Sequence, residues 1–262
     1  MGQAVLPAVH ALEHLAGAVG RVFPDESLMS SKDIHFDKFL ALPTPDISRL
    51  EAFAELGVSP DGEMIEAALL TRHVAVKSGM TRMKIHVRTR FGVSADVDEF
   101  RPEIPIWQDK STDAYTLPPD RLYAEMVPFG RAFQNVVSPV LFQLEGARAT
   151  VSGGAPGTGD RALRLGSPFP LDAAFHIACA WAQRYAGIVA FPVAIQNRVI
   201  LHQTLPGKAY LARVRWNGRD GDRLIFDLWL HDRAGTLCEI VQGLAMRDVS
   251  GGKLQPPKWI RA

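Results

Sequence analysis

The amino-acid sequence predicts an α+β protein of two similar halves, each an antiparallel sheet wrapped around one long helix. Three observations carry that expectation. Helical patterns near residues 6–22 and 171–186 are each followed by a series of period-two segments. Gly, Asn, Asp and Pro clusters separate those segments as turn signals. The chain has 262 residues, 47% of them hydrophobic, which is enough apolar material to bury two helices.

In the first half, the pattern Leu6 to Val22 places Val5, Ala8, Val9, Leu12, Leu15, Ala16, Val19 and Val22 on one side of a helix. Gln3, His10, Glu13, His14 and Arg21 fall on the other side. Asp33 to Leu42 alternates loosely, and Arg49 to Leu56 fits a short helix or a strand. Pro60-Asp61-Gly62 with Glu63 to Val74 predicts a hairpin. Thr81 to Phe91 alternates strictly, with Met83, Ile85, Val87 and Phe91 on one face. Arg82, Lys84, His86, Arg88 and Arg90 form the other face, read here as a solvated sheet surface in preference to a dock for an acidic partner.

The Pro-bearing stretch Arg101 to Pro119 reads as the connection between halves, giving domains 1–115 and 116–262. Strands are expected around Tyr123 to Gln143, then a flexible surface loop over Ser152 to Gly159. The second helix, Leu171 to Ala186, precedes strands at Phe191–His202, Ala209–Trp216, Leu224–His231 and Thr236–Val249. Asn217-Gly218, Asp220-Gly221 and Asp232 to Gly235 are the expected turns. One helix wrapped by a sheet, occurring twice, is the pattern of a double hotdog.

Composition narrows the function classes. Lys plus Arg (29) nearly balances Asp plus Glu (28), so no global field points to nucleic acid or an anionic membrane. Cys179 and Cys238 lack metal-ligand spacing and read as buried thiols. Without an apolar run of spanning length or a basic-headed leader, a cytoplasmic address is expected.

Four segments match known motifs. SPFPLDAAFH (Ser167–His176) is similar to the HPxLLDAALQ/H signature, and IVAFPVAIQNRV (Ile188–Val199) to the strand that follows it. YAEMVPFGRAFQ (Tyr123–Gln134) resembles the Y…GxxYGPxFQ segment that opens the second hotdog. GQAVLP (Gly2–Pro7) matches the latter part of HxxxGxxxxP. In order and spacing these four segments together resemble the dehydratase domains of polyketide synthases.

The resemblance implies a lyase that removes water from a β-hydroxyacyl thioester to give the enoyl thioester, in polyketide or fatty-acid-type biosynthesis. It implies a substrate tethered through phosphopantetheine to an acyl carrier protein, no other cofactor and no metal; a homodimer is compatible with it. It carries the general acid to Asp172, with His176 beside it one turn later, and the pocket walls to Phe129, Gly130, Phe133, Phe175 and Pro192. A helix start favours the Asp172 anion, whereas burial beside an acyl tunnel favours the neutral acid. The alternatives are a non-catalytic acyl- or carrier-protein-binding relative and a hotdog thioesterase.

The chain departs from the family pattern in three places. The family's catalytic His stands four residues before the motif Gly, and only Met1 precedes Gly2, so that base is expected to be missing. Phe129 stands at the Tyr of YGPxF and Arg131 at its Pro, while Ser167 replaces the first His of HPxLLD. No other histidine is assigned as a replacement base. His10-Ala-Leu-Glu13-His14 spells the HxxEH pattern of inverted zinc peptidases, but reads as an exposed polar stripe.

Overall fold

The computed structural model describes residues 4–42, 50–74, 79–93, 115–156 and 163–261. Helix α1 (Ala8–Val22) starts behind Pro7 and buries Val9, Leu12, Leu15, Ala16 and Val19, much as its pattern predicts. Its ends differ from that pattern. Val22 is 60% exposed, and Val5 and Leu6 form a short strand, β1 (Val5–Leu6), paired with β3 (Leu40–Ala41). Helix α3 (Phe169–Trp181) is different in kind: every residue from Pro170 to Trp181 is buried. A helix apolar on all sides belongs in the centre of a fold. It runs on as a wider turn over Ala182–Ala186 and stops at Gly187, whose φ of 67° suits glycine.

Among the described residues, eleven strands form one antiparallel sheet. β2 (Ser30–Phe36), β4 (Ala52–Val58), β5 (Met64–Val74) and β6 (Thr81–Gly92) lie together in the order β4-β5-β6-β2. Next to β2 come β10 (Phe191–Ile200), β13 (Leu237–Arg247), β12 (Arg223–Asp232) and β11 (Ala209–Asp220). β9 (Gly146–Ser152), β8 (Val140–Gln143) and β7 (Tyr115–Leu117) complete the order. Helix α1 packs on β4, β5 and β6, whereas α3 packs on β9, β10, β11 and β12, and the two helices touch. Two sheet halves each holding a helix make the double hotdog that the sequence predicts.

Four local expectations are corrected. The stretch Arg49 to Leu56, open between helix and strand, is strand from Ala52 on, in β4 (Ala52–Val58). The strict alternation of β6 is interrupted: the β5–β6 register shifts between Leu69 and Leu70, which face Val87 and Ile85. The extra residue, His86, turns inward and is 2% exposed, while Met83 and Ile85 are left 48% and 38% exposed. Asn217-Gly218 is a bulge inside β11 rather than a turn, with Gly218 at φ 112°. Tyr123 to Gln134 is not strand but a helical entry, α2 (Pro119–Arg121), continued by a wide turn over Leu122–Met126 and a tight one over Arg131–Phe133. Pro118-Pro119-Asp120 is a helix-start signal that accounts for it.

The expected loop at Ser152 is packed as far as Gly154 and exposed at Ala155 and Pro156; residues 157–159 lie outside the described residues. The Ser167 hydroxyl donates to the Gly153 carbonyl (2.7 Å), and the Thr204 hydroxyl to the Ser167 carbonyl (2.9 Å), fixing the start of α3. Gly154 has φ 80°, and a Cβ there would sit 2.3 Å from the Phe169 ring. Gly154→Ala is therefore expected to cost about 2 kcal/mol, read as a lower midpoint in urea unfolding with unchanged slope.

The Glu13 carboxylate accepts the backbone N–H groups of Arg164 (2.6 Å) and Leu165 (3.1 Å). The Arg164 guanidinium in turn donates to the carbonyls of Gly20 (3.1 Å) and Glu26 (3.3 Å), covering the C-terminal end of α1. Glu13 is thus committed to tying α1 to the approach to α3. His10 does not point away from the fold as expected but packs edge-on against Phe133 and Phe169, at 5.2 and 5.5 Å. On the basic face of β6, Arg88 pairs with Asp37 (2.8 Å) and Arg90 with Asp33. No described helix is long and apolar enough to cross a membrane.

Candidate active site

A cavity of about 440 Å³ runs beside α3. Its wall is apolar over Leu6, Ala11, Phe36, Val87, Val127, Val189 and Met246, and Asp172 and His176 both face it. Asp172 sits in the first turn of α3, where its N–H bonds the Pro168 carbonyl (3.1 Å), and His176 follows one turn later. Their side chains are nearly closed to solvent, at 7% and 5% exposure, with Oδ2 and Nε2 3.3 Å apart. Neither atom has a well-formed hydrogen bond.

The surroundings set the protonation of both groups. Burial raises the Asp172 pKa to about 7, overriding the preference of a helix start for the anion. Burial lowers the His176 pKa, so the imidazole is neutral. Phe129 stacks on that ring, with centroids 4.6 Å apart and planes 29° from parallel, and keeps water from it. A phenylalanine at this position thus supplies cover where a tyrosine would add a hydroxyl.

Tyr123 orients the pair. Its hydroxyl accepts the Val136 N–H (2.8 Å) and lies 3.3 Å from His176 Nδ1. Burial holds the phenol protonated, above its ordinary range. A hydroxyl proton directed at Nδ1 would leave the imidazole hydrogen on Nε2, the nitrogen facing Asp172. Tyr123→Phe is expected to strand the buried Val136 N–H at a cost of about 1–3 kcal/mol and to free the imidazole to change tautomer. A nitrogen-detected NMR spectrum reports that tautomer directly.

Of the five expected wall residues, Phe129, Phe175 and Pro192 line the cavity, while Gly130 and Phe133 do not. Gly130 precedes the tight turn over Arg131–Phe133, and Phe133 packs away from the cavity against His10 and Phe169. The sequence reading overlooked Tyr123, although the residue stands in the segment YAEMVPFGRAFQ. It also overlooked Cys179 and Gln183, which continue the stripe of Asp172 and His176 at positions 179 and 183, and the inward-turned His86. The stripe was legible from α-helical spacing; the bulge that turns His86 inward was not.

The fold has counterparts among known proteins. A family model for the polyketide synthase dehydratase N-terminal domain matches residues 108–256. The dehydratase domain of RzxB from Pseudomonas fluorescens has a similar structure, with TM-score 0.70 and 18% identity over 94% of this chain and 86% of that one. The dehydratase domain of the polyketide PpsC from Mycobacterium tuberculosis aligns with TM-score 0.71 and 20% identity, over 93% of this chain and 84% of that one. A structure of the PpsC domain in complex with C12:1-CoA aligns with TM-score 0.68 and 19% identity, over 94% and 85%. No curated protein matches the chain. The family match over residues 108–256, more than half of the chain, places it in the polyketide synthase dehydratase family.

Proposed function

We propose that the protein binds a β-hydroxyacyl thioester, carried on the phosphopantetheine of an acyl carrier protein, and that Asp172 is the general acid for loss of its β-hydroxyl. The supporting observation is a carboxyl buried beside a largely apolar cavity, where burial raises its pKa to about 7. In the reaction the α-proton leaves to a base, a C=C bond forms, and the C–O bond breaks. The Asp172 proton joins the departing hydroxyl to make water. His176, held by Tyr123 with its hydrogen on Nε2, faces the carboxylate left behind and stabilises it. No resident cofactor is required, since the thioester itself acidifies the α-position.

A specific observation favours a second reading, an acyl-thioester binder without turnover. His86 and His176 are the histidines among the described cavity residues. His86 donates from Nδ1 to the Lys38 carbonyl (3.1 Å), and its Nε2 is engaged by the Thr71 hydroxyl (2.8 Å). Nδ1 of His176 faces the Tyr123 hydroxyl. With the His176 hydrogen on Nε2, neither ring offers a free lone pair for the α-proton. Incubation with a short 3-hydroxyacyl pantetheine thioester, followed by mass spectrometry, separates the readings. Loss of water supports the dehydratase, a bound but unchanged thioester supports the binder, and release of free acid would identify a thioesterase.

A further inference from the structure

The proposed chemistry uses two of four polar side chains that one stripe of α3 and its continuation present to the cavity. Asp172, His176, Cys179 and Gln183 are spaced by four, three and four residues, which keeps them on one face. Gln183 is 1% exposed. Its Nε2 donates to the Met126 carbonyl (3.1 Å) and lies 3.5 Å from the Cys179 sulfur. The carbonyl can only accept, so the amide orientation is fixed and Oε1 is the atom left over. That Oε1 is buried with no hydrogen-bond partner. Cys179 does not supply one, because its sulfur faces the amide nitrogen and accepts from it. An unpaired acceptor beside a largely apolar cavity favours a ligand that brings a donor to it and penalises one that does not.

The geometry points to Gln183 as a specificity-determining residue whose Oε1 accepts a hydrogen bond from an N–H or O–H group of the bound acyl thioester, about 16 Å along the helix from Asp172. This rests on the acyl-thioester reading of the cavity. Two parts of such a substrate carry donors: the amides of the pantetheine arm, and a hydroxyl far along the acyl chain. Both present the same chemistry to Gln183.

The test uses saturated acyl thioesters, which cannot lose water, so binding is read without reference to turnover. Calorimetry compares acyl chains of increasing length ending in methyl or hydroxyl, each carried on pantetheine or on a simple alkyl thiol without amides. The protein is expected to prefer the donor-bearing member of one of these comparisons by about tenfold or more, and Gln183→Met is expected to erase that preference. The comparison in which it is erased identifies the source of the donor. Should Gln183→Met fail to fold, Cys179→Leu leaves the Gln183–Met126 bond in place and narrows the cavity short of Gln183; it is expected to erase the same preference. Equal affinity with and without a donor, or a preference that survives the substitutions, overturns the role of Gln183 alone. Binding of none of the thioesters overturns the acyl-thioester reading itself.

Discussion

Replacing Asp172 with Asn is expected to lower water loss from a β-hydroxyacyl thioester by about 10²–10⁴-fold, the usual contribution of a positioned general acid. The amide matches the carboxyl in shape, so the cavity is expected to survive, with thioester binding within a few-fold of the parent. The same substitution changes how stability depends on pH. The Asp172 pKa rises from 3.8 unfolded to about 7 folded, so this group's stabilisation is complete below pH 3.8 and is lost as pH rises through 7. At 1.36 kcal/mol per unit the loss is on the order of 4 kcal/mol. His176 runs the other way: its pKa falls from 6.5 to about 3, so its contribution is present above pH 6.5 and is lost as pH falls toward 3. Between about pH 4 and 6.5 the two slopes cancel. Asp172→Asn removes one of them, and urea midpoints are expected to rise with pH across that window, whereas His176→Gln is expected to make them fall.

Breaking the ion pair between β10 and β13 is expected to have the largest effect on stability. Arg198 and Glu239 are 3% and 2% exposed and meet fork to fork, Nε to Oε1 at 2.8 Å and Nη2 to Oε2 at 3.1 Å. Glu239→Gln leaves a buried guanidinium without its counter-charge, at about 3–5 kcal/mol, a large fraction of a domain's stability. Replacing both partners by Met and Leu removes the desolvation of both charges, and is expected to recover most of the loss. Denaturant unfolding of the two single variants and the double variant checks this. A double variant no more stable than the singles would show that the pair does more than neutralise its own burial.

The architecture was legible because its signals are periodic. The apolar face of α1 and the uninterrupted burial of α3 follow from residues 6–22 and 171–186, and most strands of the second half lie where alternation puts them. What was misread has non-periodic causes. A single extra residue at His86 inverts the faces of β6 and exposes Met83 and Ile85, and no property of those side chains announces it. Asn217-Gly218 carries the composition of a turn but takes a bulge, because the strand pairing continues to Asp220. Tyr123 to Gln134 was read as strand since its apolar residues dominate, although Pro118-Pro119-Asp120 announces a helix.

At the site, the juxtaposition of Asp172 and His176 follows from spacing alone. Their protonation does not. Helix dipole and burial push the carboxyl in opposite directions, and only the closed surroundings of residues 172 and 176, including Phe129 stacked on His176, decide for burial. The contact of Tyr123 with His176 joins residues 53 apart in sequence, a separation that no local pattern encodes.

The central claim is that the Asp172 carboxyl holds its proton near neutral pH. Carbon NMR of protein labelled at the aspartate side-chain carboxyl measures it, with Asp172→Asn identifying the resonance. A titration midpoint near 7 is the predicted result; a carboxyl already ionised at pH 5 would contradict the account.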